Sequence, residues 1–313
     1  MQRFLLTVLL SVCWLSQSQA VELRLMTGLE QGTYYQIGQE ISRVTDRTGV
    51  HLQVLPSQGS WDNIVALFNN DTEFAIFQVD AFMKAAKNLY RNTSVKIDDE
   101  IRVVMPLYRE EIHVIKALGR ELDFASQESF VVTCGSENSG SCLTAAVLEE
   151  AYGKKFKYRP DDYETAFANL KAGTIDLVII TAGKPYPLLV NQSGLELVSL
   201  PRFDKVTEFY SRASLGPEDY PWLKKEVETY AVRSVLATMI QEEEGLANDL
   251  VGSVHFALRV NEIELKKNGH PKWKDVLFNG YIKGLSHAGA LRSLNTCNAI
   301  KGFGFRCTDM NPD

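Results

Sequence analysis

Residues 175–180 read Ile-Asp-Leu-Val-Ile-Ile, a nearly continuous apolar strand that narrows the choice of fold more than any other stretch. A strand with one wet face alternates apolar and polar side chains; a nearly unbroken run is expected where both faces of a sheet are covered. Such strands belong to largely parallel sheets flanked by helices. The rest of the chain fits that scheme. Residues 21–26 alternate and read as a first strand. Thr33 opens a helix whose buried stripe is Tyr34, Ile37, Ile41 and Val44. Residues 53–55 are a second strand, and Ser60 starts a helix with Trp61, Ile64, Val65 and Phe68 on one face. Residues 74–77 are a third strand, with a helix from 80 to about 90, and residues 103–107 and 112–117 are extended. The second half repeats the logic. Strands at 130–134, 155–158, 175–180 and 195–200 are separated by helices, one ending at Tyr152 and one marked by Tyr163, Ala166, Phe167 and Leu170. An apolar strand from Thr229 leads into helices that reach Lys267. The alternation predicts an α/β protein of two lobes.

The N-terminus predicts export. Arg3 is the sole charge before Glu22, residues 4–15 are apolar, and small residues stand at Ser18 and Ala20. That is the pattern of a secretory signal peptide cleaved after Ala20. The run is too short to span a bilayer, which takes roughly 20 apolar residues. Cys13 raises a lipid-anchor reading, but Val12 stands before it where a small residue is expected. Removing residues 1–20 leaves Cys134, Cys142, Cys297 and Cys307. An even number of cysteines in an exported chain favours disulfides. Four cysteines allow three pairings, and proximity favours Cys134–Cys142 and Cys297–Cys307. Neither CxxC nor HxxxH occurs, so no metal or cofactor is expected. The net charge of −6 argues against nucleic acid as a partner.

In parallel α/β sheets ligands bind beyond the carboxyl ends of strands, where helix N-termini present free N–H groups. The segments 27–35, 56–63, 78–80, 135–141 and 181–183 occupy such positions. Thr27, Gly28, Ser60, Gln78, Asn138, Ser139, Ser141, Ala182 and Gly183 are therefore the candidate ligand residues. Tyr35 joins them, lying one step round the helix from the apolar stripe, whereas Tyr34 lies on the stripe and reads as core. Trp61 shares a stripe with Ile64, Val65 and Phe68, so core and cleft both fit it. Ser60, Ser139 and Ser141 read equally as helix caps and as ligand groups. Asp80 reads as a cap and Glu30 as a solvated loop charge. None of the five histidines sits in a metal or nucleophile motif, and neither Gly-x-Ser-x-Gly nor a Walker pattern is present. An exported enzyme is thus the least favoured class.

These same residues resemble a known family. Thr27-Gly28, Gly32-Thr33-Tyr34-Tyr35 and Gly38 look like the glycine-rich start of TAXI-type solute-binding proteins, the extracytoplasmic receptors of one class of tripartite ATP-independent (TRAP) transporters. Gln58-Gly59-Ser60-Trp61-Asp62-Asn63 is similar to that family's Gly-Gly-Ser-x-x-Asn, and Gln78-Val79-Asp80 to its Gln-x-Asp. Ser139-Gly140-Ser141, Thr181-Ala182-Gly183-Lys184-Pro185, the strand at 230–238 and Ser286-His287-Ala288-Gly289-Ala290 follow in the family's order. Leu29-Glu30-Gln31, Trp61 and Cys142 depart from the pattern.

The resemblance implies a periplasmic-binding-protein type II fold, two α/β lobes joined by crossing strands near 112–116 and 209–215. Lobe one would then comprise residues 21–116 and 208–313, and lobe two residues 117–207. It further implies a periplasmic monomer that binds a small polar solute, an organic acid or amino acid, glutamate-like or dicarboxylate, and hands it to a membrane permease of the TRAP type. A receptor docking on a membrane signalling protein uses the same fold, and the sequence does not separate the two roles.

Overall fold

The computed structural model describes residues 22–93, 100–202, 209–240 and 246–288. The expected signal peptide at 1–20 and the expected Cys297–Cys307 pair lie outside the described residues. The first half of the chain runs β1 (Glu22–Met26), α1 (Thr33–Thr45), β2 (His51–Leu55), α2 (Ser60–Phe68), β3 (Phe74–Gln78), α3 (Val79–Thr93) and β4 (Arg102–Ala117). The second runs β5 (Ser129–Thr133), α4 (Gly140–Tyr152), β6 (Lys155–Tyr158), α5 (Tyr163–Ala172), β7 (Leu177–Ala182), α6 (Pro187–Val190) and β8 (Leu195–Leu197). Then come β9 (Tyr210–Leu215), β10 (Val227–Thr238), α7 (Leu246–Val260), α8 (Glu262–Asn268) and a 3-10 turn, Pro271–Asp275.

The strands form one sheet in the order β2-β1-β3-β10-β4-β7-β5-β6, with β8 beside β4 and β9 beside β10. β1 is parallel to β2 and β3, and β5 is parallel to β6 and β7. Two antiparallel strands, β4 and β10, join these parallel ends. The apolar run behaves as its composition requires. Leu177 and Ile179 pack on one face with Ala145 and Leu148 of α4. Val178 and Ile180 pack on the other with Ala166, Phe167 and Leu170 of α5. All four strand side chains are buried, each contributing about 1.5–3 kcal/mol relative to exposure. At the other end of the sheet, α1 and α7 cover one face through Ile37, Ile41, Val44, Val254 and Leu258. Ile64 and Leu67 of α2 and Phe82 and Ala85 of α3 cover the opposite face.

Two features differ from the sequence expectation. Residues 103–107 and 112–117 are one strand, not two, because Tyr108, Glu110 and Glu111 between them are buried within β4 instead of turning to solvent. The return crossing is made by β10, not by residues 209–215. Those residues form β9, which pairs along Val227–Val232 and leads away from the first half.

Cys134 and Cys142 form a disulfide with Cα atoms 4.9 Å apart, tying the end of β5 to the first turn of α4. Ser139 caps that helix by accepting the Cys142 N–H, and its hydroxyl donates to the Cys134 carbonyl. By the chain-entropy relation a loop this short contributes about 2–3 kcal/mol. The Cys134→Ala/Cys142→Ala variant should therefore unfold at lower urea, with stability reduced by that amount. An unchanged midpoint would show that the crosslink leaves the stability untouched.

Candidate functional site

The carboxyl ends of β1, β2, β3, β5, β6 and β7 converge on a cleft of about 440 Å³. That volume lies within the ordinary range for small-molecule sites. The helices that follow these strands point their N-termini inward. α4 and α5 are capped by their own chain, through Ser139 and Asp162. α1 and α2 have glycine N-caps, Gly32 and Gly59, and no side-chain cap. Their first-turn N–H groups and dipoles favour negative charge in the cleft. Gly59 has φ 120°, a backbone region that side chains rarely adopt. Gly140 is required for a different reason: a Cβ there would overlap the Gln78 carboxamide and crowd the Ser60 hydroxyl.

Most of the sequence-predicted residues meet here. Gly28, Ser60, Gln78, Ser139, Ser141, Ala182 and Gly183 line the cleft. Thr27 lies behind the wall, fully buried, its hydroxyl donating to Leu55 O at 2.8 Å. Trp61 packs against the α2–α3 core. Its backbone N–H donates to Asn138 O at 3.2 Å, so these two residues bridge from one half of the sheet to the other. Tyr35 is off the cleft wall and Tyr34 is on it. The apolar stripe of α1 reaches the cleft at its first turn, because that turn overhangs the strand ends. Asp80 does more than cap. Its buried carboxylate accepts from Ala81 N, Thr144 Oγ1 and Tyr210 Oη, so α3 is held to α4 and β9.

The sequence reading missed the groups in the crossing strand. Glu110 and Tyr108 of β4 line the cleft, with Tyr163 and Tyr186 from the opposite half. Tyr34 Oη donates to Glu110 Oε1 at 2.6 Å. Burial pushes the Glu110 carboxyl up to about 8; Asp80 and Glu111 add to the rise, while Tyr34 and Lys272 oppose it. The neighbouring Glu111 accepts both contacts of Lys272 Nζ at 2.8 Å, and also the Lys184 N–H. Burial raises Glu111 against the pull of Lys272. The one signal in the sequence was the polar interruption Arg109-Glu110-Glu111 between two apolar runs.

Four cleft side chains carry buried polar atoms without a partner: Gln78 Nε2, Thr33 Oγ1, Tyr108 Oη and Thr181 Oγ1. Buried polar groups are ordinarily hydrogen-bonded. Ser141 Oγ, by contrast, is occupied, accepting Thr181 N at 2.9 Å. Donors and acceptors held open on both sides of a cleft are what a polar ligand would complete.

Glu110 also sets a pH dependence. Its ordinary value is 4.5 and its folded value about 8, so between them the folded chain holds a proton that the unfolded chain has lost. Its contribution to stability is full below pH 4.5 and is lost as pH rises toward about 8. Urea unfolding between pH 5 and 8 should show wild type losing stability relative to Glu110→Gln, by at most about 1.4 kcal/mol per pH unit. Parallel pH profiles for the two proteins would contradict this.

Comparison with known proteins fits this geometry. The fold is similar to that of Tv2483 bound to L-arginine, with a TM-score of 0.51 and 11% identity over 83% of this chain and 95% of that one. It is similar also to a protein from Bordetella bronchiseptica RB50, with a TM-score of 0.52 and 13% identity over 88% and 89% of the two chains. The substrate binding protein of an amino acid ABC transporter matches with a TM-score of 0.48 and 10% identity over 81% and 96%. No curated protein matches the sequence significantly. The fold is thus of the periplasmic-binding-protein type II class. Residues 25–291 match the model of the NMT1-like family, and the chain belongs to that family.

Proposed function

We propose that this protein is an extracytoplasmic solute-binding protein that captures a small polar solute between two lobes and delivers it to a membrane transporter. The observation that carries this reading is the cleft itself. Strand ends from both halves of the sheet supply its walls, and Gln78 Nε2 and Thr181 Oγ1 wait unpartnered on opposite sides. Backbone N–H groups at the starts of α1 and α2 suit a carboxylate. The space accommodates a solute the size of an amino acid or small organic acid. That Tv2483 holds L-arginine in a similar fold supports the reading. Hydroxyls, amides and tyrosines around one buried carboxyl, Glu110, with Asp162 and Glu164 exposed, favour binding over catalysis.

The finer reading rests on the motif resemblance. We take the chain as a TAXI-type receptor, exported on residues 1–20, acting as a periplasmic monomer with a TRAP-type permease. Its lobes would hinge at the middle of β4 and β10; Ser60 and Gln78 already meet Gly140, so opening would part them. Among the described residues no helix is long and apolar enough to cross a membrane.

A thermal-shift screen of organic acids and amino acids tests the binding role. A true ligand at about 100 times its Kd stabilises by about 2.7 kcal/mol. Gln78→Ala should then weaken that ligand by about 5- to 150-fold, since an unmatched buried polar partner costs about 1–3 kcal/mol. Its fold should persist. Parental affinity in Gln78→Ala would remove the cleft from the account.

A further inference from the structure

The cleft holds groups of both polarities. On its wall stand the starts of α1 and α2, neither with a side-chain cap, and Gln78 with Nε2 unpartnered. Gln78 is 1% exposed, so this amide is a buried donor aimed at the cleft. On the floor stands Glu110, 4% exposed, fixed by the Tyr34 hydroxyl at 2.6 Å. The rings of Tyr34, Tyr108, Tyr163 and Tyr186 wall the same space. Aromatic faces attract cations, and a buried carboxylate needs a positive partner.

Among the described residues none supplies that partner. The charged or titratable groups that act on Glu110 are Tyr34 of α1, Asp80 of α3, Lys272 of the 3-10 turn, and Tyr108 and Glu111 of its own strand. Asp80 and Glu111 repel a charge on Glu110. Lys272 is committed elsewhere, donating to Arg109 O at 2.7 Å and to both oxygens of Glu111. Burial therefore keeps Glu110 as the neutral acid until a cation enters.

We propose that Glu110 is the counter-group for a positively charged nitrogen of the solute, and that capture of the solute expels the Glu110 proton to water. The inference rests on the solute-binding reading and narrows it to zwitterions, with a carboxylate at the helix starts and an ammonium at Glu110. In the exchange the O–H bond of the acid breaks, its proton leaves as hydronium, and the carboxylate accepts an N–H from the solute. A dicarboxylate would instead accept the Glu110 O–H and leave its proton in place.

Calorimetry on the whole protein tests this, using the common α-amino acids and the desamino acid corresponding to each. Titrations run from pH 6 to 8.5, in phosphate and in Tris, whose ionisation heats differ. The tightest amino acid should bind at least about tenfold better than its desamino counterpart. Near pH 6.5 it should release close to one proton, and its affinity should rise by up to about tenfold per pH unit until about pH 8. Glu110→Gln should bind it more weakly, without proton release and without that pH slope. If binding is lost in Gln78→Ala yet shows no preference for the amine, or releases the same proton in Glu110→Gln, the proposal fails while the cleft stands. If no compound binds, or Gln78→Ala leaves binding unchanged, the zwitterion assignment and the cleft reading fall together.

Discussion

The antiparallel pairing of β4 with β10 is the constraint on which the rest depends. β4 has 16 residues and β10 has 12, long enough for each to begin in one parallel ladder and end in the other. β4 leaves β10 at Glu111 and continues beside β7 and β8. Both halves therefore belong to one sheet, and their strand ends face each other across the crossing. The pairing is irregular where it matters. Arg233 lies opposite Arg109 and Val235 opposite Pro106, so β4 carries an extra residue just before the cleft. Pro106 has no N–H to contribute, and irregularities of this kind re-aim the side chains that follow. Tyr108 and Glu110, two residues apart, share the face that lines the cleft.

That crossing is unusually polar for a buried strand. Glu110, Glu111 and Lys272 are all buried there, with Asp80 nearby at the start of α3. Lys272 and Glu111 satisfy one another, and breaking such a pair costs about 3–5 kcal/mol because the survivor is left uncompensated. Gly183 packs against the Lys272 stem and the Tyr108 ring, so the loop after β7 is seated on this pair. On the other side Asp80 binds Thr144 and Tyr210. The contacts between halves thus flank the cleft without filling it. What lines it is one buried acid, Glu110, with the exposed Asp162 and Glu164, the tyrosines and unpaired polar atoms.

The layout of the fold was legible because its signals are local. An apolar run such as 175–180 reports a strand covered on two faces, and Ser139 reports a helix start. The loops at strand ends followed from the same alternation, which is why Ser60, Gln78, Ser141 and Gly183 fall on the cleft. The missed residues depend on distant partners. The sequence pattern assigns no role to Glu110 or Lys272, because Glu110 is buried by pairing with β10 and Lys272 meets Glu111 from 161 residues away. Tyr34 packs on the core as its stripe requires and also reaches the cleft, because helical periodicity gives a direction around the axis and not a position along it. The order β10 before β4 in the sheet, and hence the true return strand, is set by pairing over more than a hundred residues, which no local pattern records.

Hydrogen–deuterium exchange with and without a ligand found by screening tests the central claim most directly, because it reports which backbone segments a solute engages. The account predicts slowed exchange on both halves together, at the helix starts within residues 32–36, 59–63 and 140–144 and in the loop after β7, within 181–185. Protection confined to one half, or falling on segments away from these strand ends, would contradict a solute held between the lobes.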